Sequence, residues 1–384
     1  MTQTPAIPPP PGPLPDPVLG AAVTDAAGEV HTARTLSDAE APTEHEVLRV
    51  ENLSVEFPTD DGVVRAVRDV SYTLREREVL SIVGESGSGK SVSSMALLGL
   101  LPRSARVSGR VLYRGRDLLE MRQKELRSLR GRRISMVFQD PMTALNPVHT
   151  VGDQLAEAVR AHSLVPPRKA LERAREMLDL VGIPQAAQRL RSYPHEFSGG
   201  MRQRVMIAMA IINDPDVIIA DEPTTALDVT VQAQILEKLL EVKDTVNAAI
   251  LLITHDLGVV AGLAHRVLVM YAGRPVEIGG TDDVFYRTRM PYTAGLLGST
   301  PSMTSERRER LRPILGTPPS LINLPRGCPF SPRCPLADAT CRSAEPELVE
   351  VDGPDSGHLA ACHHSDRLVD VADPTTFFRN GGTR

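Results

Sequence analysis

Aromatic side chains are scarce in this chain, which has no tryptophan and a combined aromatic share of 3%. So few rings disfavour a surface on which single-stranded nucleic acid could stack. A basic excess is missing too, because the formal net charge is −5. Without a basic field to attract phosphate backbones, we expect no nucleic-acid partner.

Long apolar runs are also missing. One of the longest, residues 246–253, is interrupted by Asn247 and is too short to span a bilayer. Residues 1–17 are rich in proline, contain no basic residue and have no apolar stretch of the length found in secretory signals. If this protein works at a membrane, we therefore expect it to do so through a partner.

The composition changes twice along the chain and predicts three segments. Residues 1–45 combine clustered prolines with alanine, threonine and acidic residues, which predicts a disordered tail. Residues 46–285 alternate short apolar runs with helical patterns, as α/β domains do. In residues 286–384 proline, glycine and cysteine become frequent and the periodicity fades, which predicts an extension with an irregular fold.

Local patterns place several elements in the second segment. A hairpin is expected from Leu53 to Val67, with its turn at Asp60-Asp61-Gly62. Apolar residues at helical spacing predict helices over residues 155–162 and 168–181.

A glycine-rich loop is the most informative motif. It follows an apolar run at 79–83, which predicts a buried strand, and precedes a helical pattern at 92–101. In this setting, backbone N–H groups and a helix N-terminus converge on one point and favour a polyphosphate. Lys90 would reach the β- and γ-phosphates, and the Ser91 hydroxyl would bind Mg²⁺. The loop consists of Gly84, Glu85, Ser86, Gly87, Ser88, Gly89, Lys90 and Ser91.

Two acidic residues follow a second apolar run, at 217–220. Ligands collect at the carboxyl ends of buried parallel strands, so Asp221 is expected to hold Mg²⁺. Glu222 would act as a base or orient the attacking water. The alternative is a strand end with two solvated acids.

Two further polar residues end apolar runs. His255 follows 251–254 and could contact the γ-phosphate, although a lone histidine is more often structural. Gln139 follows 136–138, and its assignment as a Mg²⁺ ligand beside Ser91 and Asp221 depends on these neighbours.

These motifs occur in the order found in the nucleotide-binding subunits of ABC transporters, which the chain resembles over about residues 46–285. The resemblance rests on the phosphate loop, Gln139, the Ser-Gly-Gly-Met-Arg-Gln segment at 198–203, Asp221, Glu222, the Ala226-Leu227-Asp228 loop and His255. It implies an α/β P-loop NTPase (RecA-like) core with an antiparallel β subdomain and a helical subdomain at about 140–205.

The resemblance also implies an ATP site that two chains share. ATP on the phosphate loop of one domain would be covered by Ser198, Gly199 and Gly200 of a second domain placed head to tail. A hydroxyl and backbone donors at a helix N-terminus suit a γ-phosphate. Phe57 is the candidate for stacking on adenine, and packing within the hairpin is the alternative.

Two stretches resemble oligopeptide and dipeptide importers in particular. Residues 138–147 with 151–154 resemble the region that receives a coupling helix from the membrane subunit, whereas the alternative is an ordinary proline-containing loop. Residues 291–293, 316–319 and 325–330 resemble the C-terminal region of the same importers.

This resemblance implies an ATPase that powers the uptake of di- and oligopeptides as a peripheral subunit on the cytoplasmic face of the cell membrane. Its partners would be two transmembrane permease subunits, a second ATPase subunit that is related but not identical, and, indirectly, an extracytoplasmic solute-binding protein. The alternatives are import of another small solute such as nickel, and a soluble non-transport ABC ATPase working on DNA or ribosomes.

All four cysteines lie in the C-terminal extension. Two disulfides are not expected in a cytosolic protein, and four thiolates suit either tetrahedral zinc or an iron–sulfur cluster. The importer resemblance implies a [4Fe–4S] cluster, with Zn²⁺ as the alternative. His358, His363 and His364 flank the last cysteine and could replace a ligand, although surface histidines without such a role are commoner. The cysteines are Cys328, Cys334, Cys341 and Cys362.

Overall fold

The computed structural model describes residues 45–224, 228–299, 313–369, 371 and 373–378. The predicted tail, except its last residue, and the residues Ala226 and Leu227 lie outside these ranges. The strands are β1 (Glu46–Thr59), β2 (Gly62–Arg75), β3 (Val79–Val83), β4 (Arg106–Tyr113), β5 (Arg116–Asp117), β6 (Ile134–Val137), β7 (Val217–Asp221), β8 (Ala249–Thr254), β9 (Arg266–Tyr271), β10 (Arg274–Gly280), β11 (Val349–Glu350) and β12 (Leu359–Ala360).

The helices are α1 (Lys90–Leu97), α2 (Gln123–Leu129), α3 (Pro141–Ala144), α4 (Val151–Arg160), α5 (Pro167–Leu180), α6 (Ala186–Arg189), α7 (Gly199–Ile211), α8 (Val229–Val246), α9 (Leu257–Leu263), α10 (Thr281–Tyr286), α11 (Pro291–Gly298) and α12 (Ala339–Ser343). Five of the helices, α3 to α7, lie between β6 and β7, and three, α10 to α12, follow β10. No helix within the described ranges has both the length and the apolar composition needed to cross a membrane.

The larger sheet carries the parallel strands. Its order is β11-β12-β10-β9-β3-β8-β7-β6, with β6, β7, β8, β3 and β9 parallel and the remaining strands antiparallel. Every residue of β3, β7 and β8 is buried, because layers of structure cover both faces of the sheet. Their carboxyl ends therefore meet at one edge, where ligands collect in open α/β sheets.

Two apolar clusters flank this sheet. One joins it to the helices between β6 and β7 and to α8, with Leu155, Met177 and Ile207 among its buried members. The other joins it to α1 and to the second sheet, of order β2-β1-β4-β5. The structure thus has the implied fold class, an α/β P-loop NTPase core with an antiparallel β subdomain and a helical subdomain.

The C-terminal extension is irregular, as expected, and is fixed to the larger sheet by short strands and buried polar contacts. Glu277 of β10 pairs in register with Ala360 of β12 and has no exposed surface. The His358 ring bridges Glu277 and Asp352, with Nε2 3.1 Å from Glu277 Oε1 and Nδ1 2.7 Å from Asp352 Oδ2. Burial opposes protonation, but these two hydrogen bonds outweigh it and raise the pKa of His358.

Gly109 allows β4 to approach β1 closely at an irregularity of their register. Its φ is +99°, and a Cβ there would lie 2.5 Å from the Asn52 carbonyl oxygen. Gly109→Ala is therefore expected to lower the free energy of unfolding by about 1–3 kcal/mol, measured by urea denaturation. Gly262→Ala in α9 is the control, because a Cβ at Gly262 meets nothing within 4 Å. Equal stability of the two variants would contradict this assignment.

Candidate nucleotide site

The phosphate loop connects β3 to α1, as the sequence predicted. Gly89 stands at the N-cap position of α1 with φ +99°, and a Cβ there would lie 2.2 Å from the Ala66 carbonyl oxygen. The hairpin of β1 and β2 therefore presses on the loop so closely that only glycine fits.

Lys90 folds back into the loop that precedes it. Its Nζ donates to the carbonyl oxygens of Gly84 at 2.8 Å and Glu85 at 3.0 Å, and the residue is 5% exposed. Burial lowers the pKa of Lys90, while the carboxylates of Glu222 and Asp221 act in the opposite direction. An ammonium has three donors, so one remains for a phosphate oxygen.

Ser91 and Asp221 connect the loop to the end of β7. The Ser91 hydroxyl donates to Asp221 Oδ1 at 2.9 Å. Burial raises the pKa of Asp221, and the hydrogen bond from Ser91 partly offsets this. A hydroxyl and a carboxylate oxygen are ligands that Mg²⁺ accepts, and a bound divalent cation would favour the ionised carboxylate. The pair therefore fits the predicted Mg²⁺ site.

Three candidate catalytic residues meet at the same edge, after β6, β7 and β8. Gln139 Nε2 donates to Glu222 Oε2 at 3.0 Å, and His255 Nδ1 lies 3.4 Å from Glu222 Oε1. Glu222 has φ +46°, a left-handed conformation that is uncommon for a side chain of this type. Backbone strain of this kind is concentrated at functional sites, and here it brings a carboxylate between an amide and an imidazole.

The serine-glycine segment lies on a different part of the chain. Ser198 caps α7 by accepting from the Met201 N–H at 3.4 Å, and Ser198 and Gly199 are exposed while Gly200 is half-buried. The helix α7 packs on α5, α8 and β6, whereas α1 packs on β1, β2 and β7. The exposed N-terminus of α7 therefore lies on a part of the fold separate from the elements that pack on α1 and the phosphate loop.

Phe57 is half-buried in β1 and packs against the apolar cluster beneath the antiparallel sheet. This contact favours the hairpin-packing alternative. Stacking on adenine stays a prediction.

The four cysteines are free thiols that line one cavity. Burial raises the pKa of Cys334 and of Cys362 to about 12. A tetrahedral zinc ion would bring its sulfur ligands to about 3.8 Å from one another. Among the described residues, the metal-ligating side chains with atoms within 4.8 Å of one another are instead Asp338, Cys341 and His364. Among these residues, no three of the four cysteine sulfurs form such a close group.

The histidines beside Cys362 divide into two kinds. Both ring nitrogens of His358 are hydrogen-bonded, to Glu277 and Asp352, so His358 is not a candidate metal ligand. His363 and His364 line the cysteine cavity, and His364 Nε2 lies 3.0 Å from Asp338 Oδ2. Asp338, which caps α12 ahead of Cys341, was not singled out from the sequence, although an aspartate three residues before a helical cysteine is a capping signal.

The chain is similar to known proteins over both folded segments. Residues 67–225 match the family described as ABC transporter, and residues 276–341 match the family described as oligopeptide/dipeptide transporter, C-terminal region. The oligopeptide transport ATP-binding protein OppD of Salmonella typhimurium is 54% identical over 316 residues, which cover 82% of this chain and 93% of OppD. The dipeptide transport ATP-binding protein DppD of Bacillus subtilis is 55% identical over 329 residues, covering 85% of this chain and 97% of DppD.

Other relatives are longer. The OppD of Mycobacterium tuberculosis is 55% identical over 317 residues, but the alignment covers 82% of this chain and 51% of that protein, so this chain spans about half its length. Among solved structures, the dimeric ATP-binding cassette MJ0796 bound to ADP and Pi superposes with a TM-score of 0.54 at 25% identity, over 61% of this chain and 98% of that one. The cbiO1 subunit from Clostridium perfringens gives 0.54 at 29% identity, over 63% and 91%.

Proposed function

Because this chain belongs to the ABC transporter family, among the oligopeptide and dipeptide transport ATP-binding proteins, we propose that it hydrolyses ATP to drive a membrane importer of di- and oligopeptides. The observation that carries the proposal is the meeting of Gln139, Glu222 and His255 beside the Ser91–Asp221 pair at the carboxyl edge of the sheet. The relatives named for peptide transport support the cargo. In this proposal residues 46–285 are the ATP-binding domain and residues 286–384 are the C-terminal extension.

The residues divide the chemistry of ATP hydrolysis among them. Loop N–H groups and Lys90 bind the phosphates, and Ser91, Asp221 and Gln139 would hold Mg²⁺, which would neutralise the charge of the phosphate oxygens. Glu222 accepts a proton from the attacking water, and its contact with Gln139 fixes the orientation of the carboxylate. His255, whose side chain is 60% exposed, contacts the γ-phosphate from the open side.

A second ATPase subunit, related but not identical, completes the site. ATP on the phosphate loop of that subunit is covered by Ser198, Gly199 and Gly200 of this chain. ATP on the phosphate loop of this chain is covered by the corresponding segment of that subunit. The MJ0796 cassette, solved as a dimer bound to ADP and Pi, supports an assembly of two such domains.

The proposed complex contains two transmembrane permease subunits, and the segment after β6 is the region that receives a coupling helix from one of them. Phe138, Met142 and Val148 are 41%, 50% and 73% exposed there, and an apolar partner helix would cover them. The chain is thereby held at the cytoplasmic face of the membrane, and a solute-binding protein outside delivers cargo to the permease.

Transport by the assembled complex tests the function. The chain, its partner ATPase and the permease are reconstituted in vesicles with the binding protein, and uptake of a labelled tripeptide is compared with uptake of ⁶³Ni²⁺. ATP-dependent peptide uptake is the expected result. Uptake of nickel without uptake of peptide would show that the cargo is nickel and not peptide. ATP hydrolysis without uptake of either would favour a non-transport ATPase.

The cysteines hold a [4Fe–4S] cluster in this proposal, with Zn²⁺ as the alternative. We expect about four iron and four sulfide per chain after purification without air, together with visible absorption. Cys362→Ser is expected to lower the iron content, since it removes one of four thiolate ligands. One zinc per chain without sulfide would contradict the cluster and support the alternative.

A further inference from the structure

The C-terminal extension contacts the phosphate loop at its second residue, Glu85. The Glu85 backbone N–H donates to the Tyr292 hydroxyl oxygen at 2.8 Å. The Glu85 carboxylate accepts from both terminal nitrogens of Arg333, at 2.6 Å and 2.8 Å. Main chain and side chain of a loop residue are therefore both held by residues some 200 or more positions further along the chain, at separations of 207 and 248.

Arg333 is held in place by other contacts. Its side chain is 5% exposed, and its Nε donates to the Leu315 carbonyl oxygen at 3.1 Å. The guanidinium lies over the rings of Tyr271 and Phe330, with its central carbon 5.9 Å and 6.0 Å from their centroids. A bidentate pair whose arginine is already immobilised loses little side-chain entropy when it forms.

An aromatic cluster connects this arginine to the core of the domain. The rings of Tyr271, Tyr292 and Phe330 lie 4.5 Å to 5.3 Å apart, centroid to centroid. Tyr271 ends β9, which is adjacent to β3 in the sheet, and Phe330 lies between Cys328 and Cys334 in the sequence. The cluster therefore couples the cysteine segment to the strand from which the phosphate loop emerges.

Glu85 without Arg333 would be unfavourable for a nucleotide. A carboxylate in the loop that surrounds a triphosphate repels it, and an arginine paired with both oxygens neutralises that charge. In addition, a glycine-rich loop loses conformational freedom when it binds, and a loop that is ordered beforehand loses less.

We propose that Arg333 and Tyr292 are positioning residues of the nucleotide site, through which the C-terminal extension orders the phosphate loop and raises its affinity for ATP. The proposal rests on the function proposed above, namely that this loop binds ATP. Since the coupling is an equilibrium property, it acts in both directions: bound nucleotide stabilises the segment around Arg333.

The test is a double-mutant cycle on the full chain, with the dissociation constant of a fluorescent ATP analogue as readout. Arg333→Gln is expected to weaken binding about 10- to 100-fold, as the loss of a charge-assisted pair does. Glu85→Gln removes the repulsive charge of the carboxylate together with its pairing to Arg333. It is therefore expected to weaken ATP binding less than Arg333→Gln does. Arg333→Gln made on top of Glu85→Gln is expected to have little further effect. The matched control is Arg342→Gln, at an exposed arginine of the same extension.

Two milder variants keep the test usable if Arg333→Gln does not fold. Arg333→Lys retains the charge but not the paired geometry, and Tyr292→Phe retains the ring but not the hydroxyl; each is expected to weaken binding about 3- to 10-fold. In the wild type, ATP is expected to slow hydrogen exchange in residues 328–341.

Each outcome bears on one of the two proposals. Unchanged affinity for ATP in the Arg333 and Tyr292 variants would overturn this inference. It would also be overturned if Arg333→Gln weakened binding equally in the wild type and in the Glu85→Gln variant, because the arginine would then not act through that carboxylate. A wild-type chain that binds no nucleotide would instead refute the proposed function.

Discussion

Replacing Glu222 with glutamine is expected to lower the rate of ATP hydrolysis 10²- to 10⁴-fold, the range over which a general base contributes. The change keeps the size of the side chain and an oxygen that accepts from Gln139 Nε2, so the site should remain assembled. What is lost is the proton acceptor for the attacking water. Phosphate release by the assembled complex measures the effect, and the affinity for ATP should change little.

A second consequence is a trapped complex. ATP that joins two domains and is not hydrolysed should keep them together, so size-exclusion chromatography in ATP should show a persistent two-domain species. Glu237→Gln, at an exposed glutamate of α8, is the control for a charge change alone. Near-normal hydrolysis by Glu222→Gln would contradict the assignment of Glu222 as the general base and leave His255 as the candidate base.

Local chemistry made the core of the fold predictable. The turn at Asp60-Asp61-Gly62 was predicted and is confirmed, since Thr59 pairs with Gly62 across it. The helix predicted over 168–181 is α5, Pro167–Leu180. Helix α4 begins four residues earlier than predicted because the Thr150 hydroxyl caps it by accepting from the Asp153 N–H.

For helix α1 the main error lies at the C-terminal end. It was predicted over 92–101, but it runs from Lys90 to Leu97. The apolar residues after Leu97 continued the pattern, yet Gly99 has φ +58° and Pro102 disfavours helical geometry before it. Apolar periodicity alone does not show where a helix ends.

Contacts distant in sequence were predictable only where parallel strands end at a common edge. The meeting of Gln139, Glu222 and His255 could be expected, since each follows a strand and parallel strands end at a common edge. Nothing in the sequence around Arg333 indicates that it pairs with Glu85, 248 positions away. The two-residue strands β11 and β12 likewise carry no periodicity, because only the pairing of β12 with β10 and of β11 with β12 defines them.

Lys90 and Ser198 are expected to act on different steps, because they belong to different composite sites. Lys90→Met should weaken ATP binding to the isolated chain about 10- to 150-fold, as it removes a charged donor from the phosphates. The exposed Lys169 of α5 provides the control, Lys169→Met. Equilibrium titration with a fluorescent ATP analogue measures both variants, and unchanged affinity in Lys90→Met would contradict the assignment of the loop.

Ser198→Ala should leave that affinity unchanged, since the serine caps α7 and, in the proposed assembly, contacts the ATP of the partner subunit instead of this chain's own. In the complex with the partner ATPase, however, hydrolysis at the site on the partner should fall about 10²- to 10³-fold, the effect of removing one donor that stabilises developing negative charge. Thr150→Ala is the matched control, because it removes the same kind of cap from α4. If Ser198→Ala weakened binding by the isolated chain, the serine would act on its own phosphate loop. If Thr150→Ala slowed the complex equally, helix capping would account for the loss, and the shared site would have to be abandoned.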